Sequence, residues 1–162
     1  QILIMGTLSK AIGAQGGFLC GSRAAIEYLV NYCRGFIYST GISPWLAGIA
    51  HSNISRIRSD ATLGERLQSA VQTLQEALRG QGIAVPVSPT PIIPIILGGS
   101  ERALRCSKAL LAKGIVAKAI RPPTVSQGSS RIRLSLCAAH DADDLKKAAS
   151  VLAKILKSHP QK

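Results

Sequence analysis

The stretch Ile2-Leu3-Ile4-Met5-Gly6-Thr7-Leu8-Ser9-Lys10-Ala11-Ile12-Gly13-Ala14-Gln15-Gly16-Gly17-Phe18-Leu19-Cys20-Gly21 decides the fold. Its first four residues are a short, fully apolar run of the kind that sits inside a parallel sheet. Gly16 to Gly21 reads as a second short strand bounded by glycines. Between the two lies a glycine-containing loop with one cation, Lys10, and the nearest acid in sequence is Glu27. A lysine at a sheet edge among small residues, with no acid beside it, can act as a nucleophile toward a carbonyl. Thr7, three residues earlier, can place a hydroxyl on an anion at the same edge. The loop is not a nucleotide-binding P-loop, because the G-x-x-x-x-G-K-[ST] order is absent. A strand stands at the very start, and Gln1 is no start residue, so we expect a fragment whose N-terminal part is missing.

Downstream, Ala25, Ile26, Leu29 and Val30 form one face of a helix expected to begin after Ser22 and end near Gly35. Ser43 then Pro44 reads as a cap followed by a proline at the first helical position. Thr62-x-x-Glu65 reads as a capping box before a stripe of Leu67, Val71, Leu74 and Leu78, stopped by Gly80 and Gly82. The second part has a different grain. Strands are expected over 92–97 and 115–120, and a helix capped by Ser100 is expected to stop at Gly114. Arg131 to Cys137 alternates strictly, with Ile132, Leu134 and Leu136 on one face and Arg131, Arg133 and Ser135 on the other. The last helix is expected over 141–157, capped by Asp141, with acids first and lysines last as the helix dipole favours. This order predicts an α/β architecture: a small α+β lobe joined to the tail of a larger sheet, with residues 1–60 and 61–162 as the two parts.

The chain has 162 residues, a net charge of +12, 46% hydrophobic and 4% aromatic residues, enough aliphatic side chains for a core. No apolar run approaches the ~20 residues of a membrane span. The charge is uneven: residues 1–81 hold 7 basic and 4 acidic groups (+3), and 82–162 hold 13 and 4 (+9). A basic half suits nucleic acid, an anionic substrate, a partner surface or a solvated face. Nucleic acid is disfavoured because no Tyr, Phe or Trp follows residue 45, leaving the cations without stacking partners. Cysteines 20, 33, 106 and 137 form no C-x-x-C pair and no short spacing with histidines 51, 140 and 159, which argues against a metal site. Scattered thiols and the absence of a charged-then-apolar leader suit the cytoplasm. Cys20 and Cys137, in strand contexts, are expected as small core residues, His51 and His140 as structural, and His159 in a frayed tail.

Thr7-Leu8-Ser9-Lys10-Ala11-Ile12-Gly13-x-x-Gly16 resembles the pyridoxal-phosphate attachment signature of the class II aminotransferase-like family. Within it the chain is most similar to the α-oxoamine synthases. Supporting stretches are Tyr38-Ser39-Thr40 before Pro44, Ala119-Ile120-Arg121-Pro122-Pro123-Thr124-Val125, and Arg131-Ile132-Arg133-Leu134-Ser135-Leu136 with Ala138-Ala139-His140. The resemblance implies the C-terminal part of a fold-type I enzyme, namely the tail of the cofactor-binding large domain and a small C-terminal domain. It implies pyridoxal 5'-phosphate as cofactor, with Lys10 as the Schiff-base lysine and the base for the α-proton, and Thr7 on the phosphate. Ser39 and Thr40 resemble residues that reach the phosphate across a homodimer interface. Arg133 matches the arginine that grips the amino-acid carboxylate, and Thr124 matches a substrate contact. The Arg-Pro-Pro-Thr-Val stretch resembles that of members joining L-alanine to a pimeloyl thioester, from pimeloyl-CoA or pimeloyl-acyl carrier protein. Ser126 departs from the proline common there. The family's acid on the pyridine nitrogen and its ring-stacking histidine lie upstream of the lysine, outside this sequence. A glycine C-acyltransferase, and a catalytically inert fragment or interaction protein, stand as the other readings.

Overall fold

A computed structural model of the chain describes residues 2–160. The chain divides into two compact units, one reaching to Ala61 and the other beginning at Thr62.

In the first unit, β1 (Ile4–Thr7) pairs antiparallel with β2 (Gly17–Cys20), Ile4 opposite Cys20 and Thr7 opposite Gly17. The apolar opening run therefore belongs to a hairpin, and among the described residues it lies in no parallel sheet. The loop turns the chain straight back on itself, so the second run becomes the first one's neighbour. Neither strand is covered: Met5 is 82% exposed, and Cys20, expected in a core, is exposed as well. Helix α1 (Arg23–Tyr32) is capped by Ser22, whose Oγ accepts from the Ala25 N–H at 3.3 Å. It ends at Cys33, earlier than expected, and the chain restarts as the single turn α2 (Arg34–Ile37). Helix α3 (Pro44–Ser59) starts on proline after Ser43, as expected. The small core here is Leu8, Ala14 and Ala50, with Ile12 packed against it.

The second unit comprises α4 (Thr62–Gly80), β3 (Ile92–Gly98), α5 (Ser100–Leu111), β4 (Lys118–Ile120), β5 (Ser130–Ser135) and α6 (Ala142–Ser158). Thr62 is itself the first helical residue of α4, with Glu65 in its first turn. The three strands form an antiparallel sheet in the order β3-β5-β4. One face, carrying Ile93, Ile95, Leu97 and Ile132, packs against α4, α5 and α6 through Leu78, Leu110, Cys106, Ala149 and Leu152. Aliphatic side chains in close contact supply this core, each fully buried one contributing about 1.5–3 kcal/mol. The alternation expected for 131–137 holds: Ile132 is fully buried, Arg133 is exposed and Arg131 is half-buried. Beyond β5 the chain leaves the sheet, and Cys137 is exposed.

Three local expectations change. The cap of α5 is Gly99, not Ser100, because the Ser100 hydroxyl instead meets the buried Ser130 hydroxyl at 3.1 Å. Only Lys118–Ile120 of the 115–120 run is strand, since Ile115 is drawn back by its N–H to the Leu110 carbonyl, 3.0 Å. His159 is not frayed: its carbonyl accepts from Arg102 Nε at 2.7 Å, and it closes α6. Asp141 caps α6 as expected, with Oδ1 accepting from the N–H groups of Asp143 (2.8 Å) and Asp144 (3.4 Å).

Candidate active site

Lys10 sits in the loop that joins β1 to β2, and a short hydrogen-bond ladder fixes that loop. The Leu8 N–H donates to the Gly16 carbonyl (2.9 Å), the Ala14 N–H to Leu8 (2.8 Å) and the Gly13 N–H to Lys10 (2.9 Å). From α3, Asn53 Nδ2 donates to the Ile12 carbonyl at 2.8 Å, and Leu8 and Ala14 are buried beneath. Gly13 and Gly16 take φ of 66° and 113°, left-handed conformations that other residues adopt only at a cost. The sequence thus folds the loop into a rigid platform and leaves the Lys10 side chain exposed upon it.

Three polar side chains converge there. Thr7 Oγ1 and Ser9 Oγ lie 2.8 Å apart, either able to donate, and the Ser9 N–H donates to Thr7 Oγ1 at 3.2 Å. Lys10 Nζ reaches Ser9 Oγ at 3.5 Å, and among the described residues it has no ion pair. The chemistry of this set is an unpaired primary amine, able to condense with an aldehyde, beside two hydroxyls able to donate to a phosphate. Those groups fit pyridoxal phosphate. Ser9, to which the resemblance gives no role, joins the group from the bend that follows β1.

Ser39 and Thr40 lie elsewhere on this unit. The Ser39 hydroxyl closes α2 by donating to the Gly35 carbonyl at 2.6 Å, and both residues are exposed. Beside them the Arg34 guanidinium stands over the Tyr38 ring, 5.3 Å from its centroid. Among the described residues, neither Ser39 nor Thr40 hydrogen-bonds to the Lys10 loop.

On the second unit, Arg133 is held at the middle of the centre strand β5, opposite Pro94 on one side and Lys118 on the other. It lines a cleft of about 410 Å³ with Arg131, Ile92, Pro94, Ile120 and Val125. Thr124 is exposed in a turn closed by its N–H to the Arg121 carbonyl, 3.0 Å; its neighbour Val125, not Thr124 itself, lines that cleft. A larger cleft, about 750 Å³, lies among apolar side chains such as Leu74, Leu78 and Leu152 and holds none of the candidate residues.

The motif, its platform and the two-layer second unit place the chain in a known class: it belongs to the aminotransferase class I and II family, which matches residues 1–152. Its relatives are more particular. It is 42% identical over 151 residues to 8-amino-7-oxononanoate synthase of Lysinibacillus sphaericus, covering 93% of this chain and 39% of that protein. It is 40% identical over 152 residues to 8-amino-7-oxononanoate synthase of Stutzerimonas stutzeri, covering 94% and 39%. A high-resolution structure of SPT with its PLP internal aldimine shares the fold at a TM-score of 0.88 and 26% identity, over 96% of this chain and 40% of that one. The expected fold class holds: the chain matches the C-terminal portion of this pyridoxal-phosphate-dependent transferase fold. It spans about two fifths of the length of the curated relatives it matches.

Proposed function

We propose that this chain is the C-terminal portion of a pyridoxal-phosphate-dependent acyltransferase that makes 8-amino-7-oxononanoate from L-alanine and a pimeloyl thioester, in biotin biosynthesis. The observation that carries this reading is the unpaired Lys10 amine beside the Thr7 and Ser9 hydroxyls on a rigid loop, in a chain whose relatives bear that enzyme's name. When bound, pyridoxal phosphate supplies an electron sink for the negative charge that develops at the amino acid's α-carbon.

The residues divide the remaining work. The Lys10 amine holds the cofactor and, once released, takes the proton from the α-carbon of alanine. Thr7 and Ser9 donate to phosphate oxygens, and Ser39 and Thr40 do so from the second subunit of a homodimer. The exposed Tyr28, Tyr32, Phe36 and Trp45 side chains of this unit support such an interface. Arg133 grips the alanine carboxylate with its planar fork of donors, and Thr124 contacts the substrate in the same lobe. A carbon–carbon bond forms between the α-carbon and the thioester carbonyl as the thiol leaves, the alanine carboxylate departs as carbon dioxide, and a proton returns to the α-carbon in its place. The excess of cations after residue 81 complements the phosphates of coenzyme A or an acidic carrier protein.

The test is an absorbance scan of the chain with added pyridoxal phosphate, followed by borohydride reduction and peptide mass analysis. A band near the visible edge, a reduced adduct on Lys10 and loss of both in Lys10→Ala are expected. L-Alanine should perturb the band and glycine should not. A wild-type chain with no band and no Lys10 adduct overturns the reading, and a response to glycine alone redirects it to a glycine acyltransferase.

A further inference from the structure

The face of the sheet that carries Arg133 holds a second guanidinium that the proposed chemistry leaves unused. Arg131 and Arg133 are two residues apart on β5, so they share a face and lie about 7 Å apart along the strand. Arg131 stands opposite Ile96 and Ile120, and Arg133 is flanked by Lys118. The strand residues on this face include no carboxylate, and among the described residues none of these three cations is in an ion pair. Like charges side by side on a sheet repel one another, a cost relieved when anions come between them. Arg131 is half-buried, and its Nε donates to the Ser129 carbonyl at 2.9 Å, which fixes the guanidinium and leaves its terminal nitrogens free for a ligand.

The cleft beside these cations has an aliphatic wall, and Ser88 and Thr90 also line it. Ile92, Pro94, Ile120 and Val125 line it together with both arginines, and its volume of about 410 Å³ suits a small ligand. Two anion-binding forks joined by an aliphatic wall describe a ligand with two carboxylates and a polymethylene spacer. We infer that Arg131 is a specificity-determining residue that binds the distal carboxylate of a dicarboxylic acyl chain, while Arg133 takes the carboxylate of the amino acid. This rests on the function proposed above and names what selects its acyl donor. A half-buried cation built to meet an anion is left unpaired by a monocarboxylic chain, so the cleft rejects that chain more strongly than a purely apolar wall would.

The test is equilibrium binding of pimelate and of heptanoate, which has the same carbon count and one carboxylate, to the chain and to Arg131→Gln and Arg131→Lys. Pimelate is expected to bind the wild type on the order of tenfold more tightly than heptanoate. Arg131→Gln should abolish that preference and leave heptanoate affinity unchanged, and Arg131→Lys should keep part of it. Equal affinities in the wild type, or a preference that survives Arg131→Gln, overturn the inference. So does a loss of heptanoate binding along with pimelate binding, which would make Arg131 a structural residue. The Lys10 adduct is read separately: an adduct without pimelate preference sinks this inference alone, and a preference without an adduct sinks the proposed function alone.

Discussion

Cys106 shows how one side chain ties stability to pH. It lies fully buried on α5 among Leu78, Leu110 and Ile132. Burial pushes its thiol above the ordinary value of 9.0, and the nearby Arg102 and Arg105 guanidiniums pull only partly the other way. The folded chain therefore keeps this proton at a pH where the unfolded chain gives it up. The stabilisation is fully present below 9.0 and is lost as pH rises through the folded value. Between about pH 7 and pH 10 the unfolding free energy of the wild type should fall more steeply than that of Cys106→Ala, measured by urea titration of both. Parallel pH profiles would refute this. At the same scale, Cys20 and Cys137 lie exposed and should react with a thiol reagent in the native chain while Cys106 does not.

Two of the three helices of the second unit end by one device. After α4, Gly82 takes a φ of 75°, its N–H meets the Arg79 carbonyl and the Ile83 N–H reaches back to Leu78. After α5, Gly114 takes a φ of 78°, with Ile115 reaching back to Leu110. In both cases the following isoleucine packs onto the core, which completes the Schellman arrangement. A β-carbon at either glycine would meet nothing within 4 Å, so the cost of substitution is conformational alone. Gly82→Ala and Gly114→Ala should each destabilise by about 1–2 kcal/mol. Gly80→Ala, inside the last turn of α4 without a positive φ, should be neutral or stabilise by up to about 1 kcal/mol, as thermal unfolding would show. These ends were legible in the sequence because glycine after an apolar stripe has a local cause. So was the side of β5 that holds Arg133, because alternation is local too. The pairing of Ile4–Thr7 was not, since a short apolar run specifies burial and leaves its partner open. Nor were the exposed Cys20 and Cys137, whose surroundings depend on what covers a strand. Arg131 could be placed on its face by alternation, but its cleft needed three strands in register.

Across the whole chain, burial is divided unequally. The second unit contains its own core, with Leu78, Ile93, Leu110, Ile132 and Leu152 each nearly or wholly excluded from solvent and supplied by five different elements. In the first unit, α1 and α2 bury no residue, and Trp45 at 84% and Tyr32 at 67% stand exposed. Apolar burial opposes chain entropy, so a segment that buries little opens at little cost even when its backbone hydrogen bonds are made. Native-state hydrogen exchange on this chain should reveal two levels. Amides of β5, α5 and the middle of α6 should exchange only with global unfolding of their unit, and those of α1 should exchange at least about a hundredfold faster. Residues 62–162 expressed alone should then unfold cooperatively, with a thermal midpoint within about 5 °C of the same transition in the full chain. One shared level of protection in both units, or a 62–162 segment with no cooperative transition, would show that the core after Thr62 draws its stability from the residues before it.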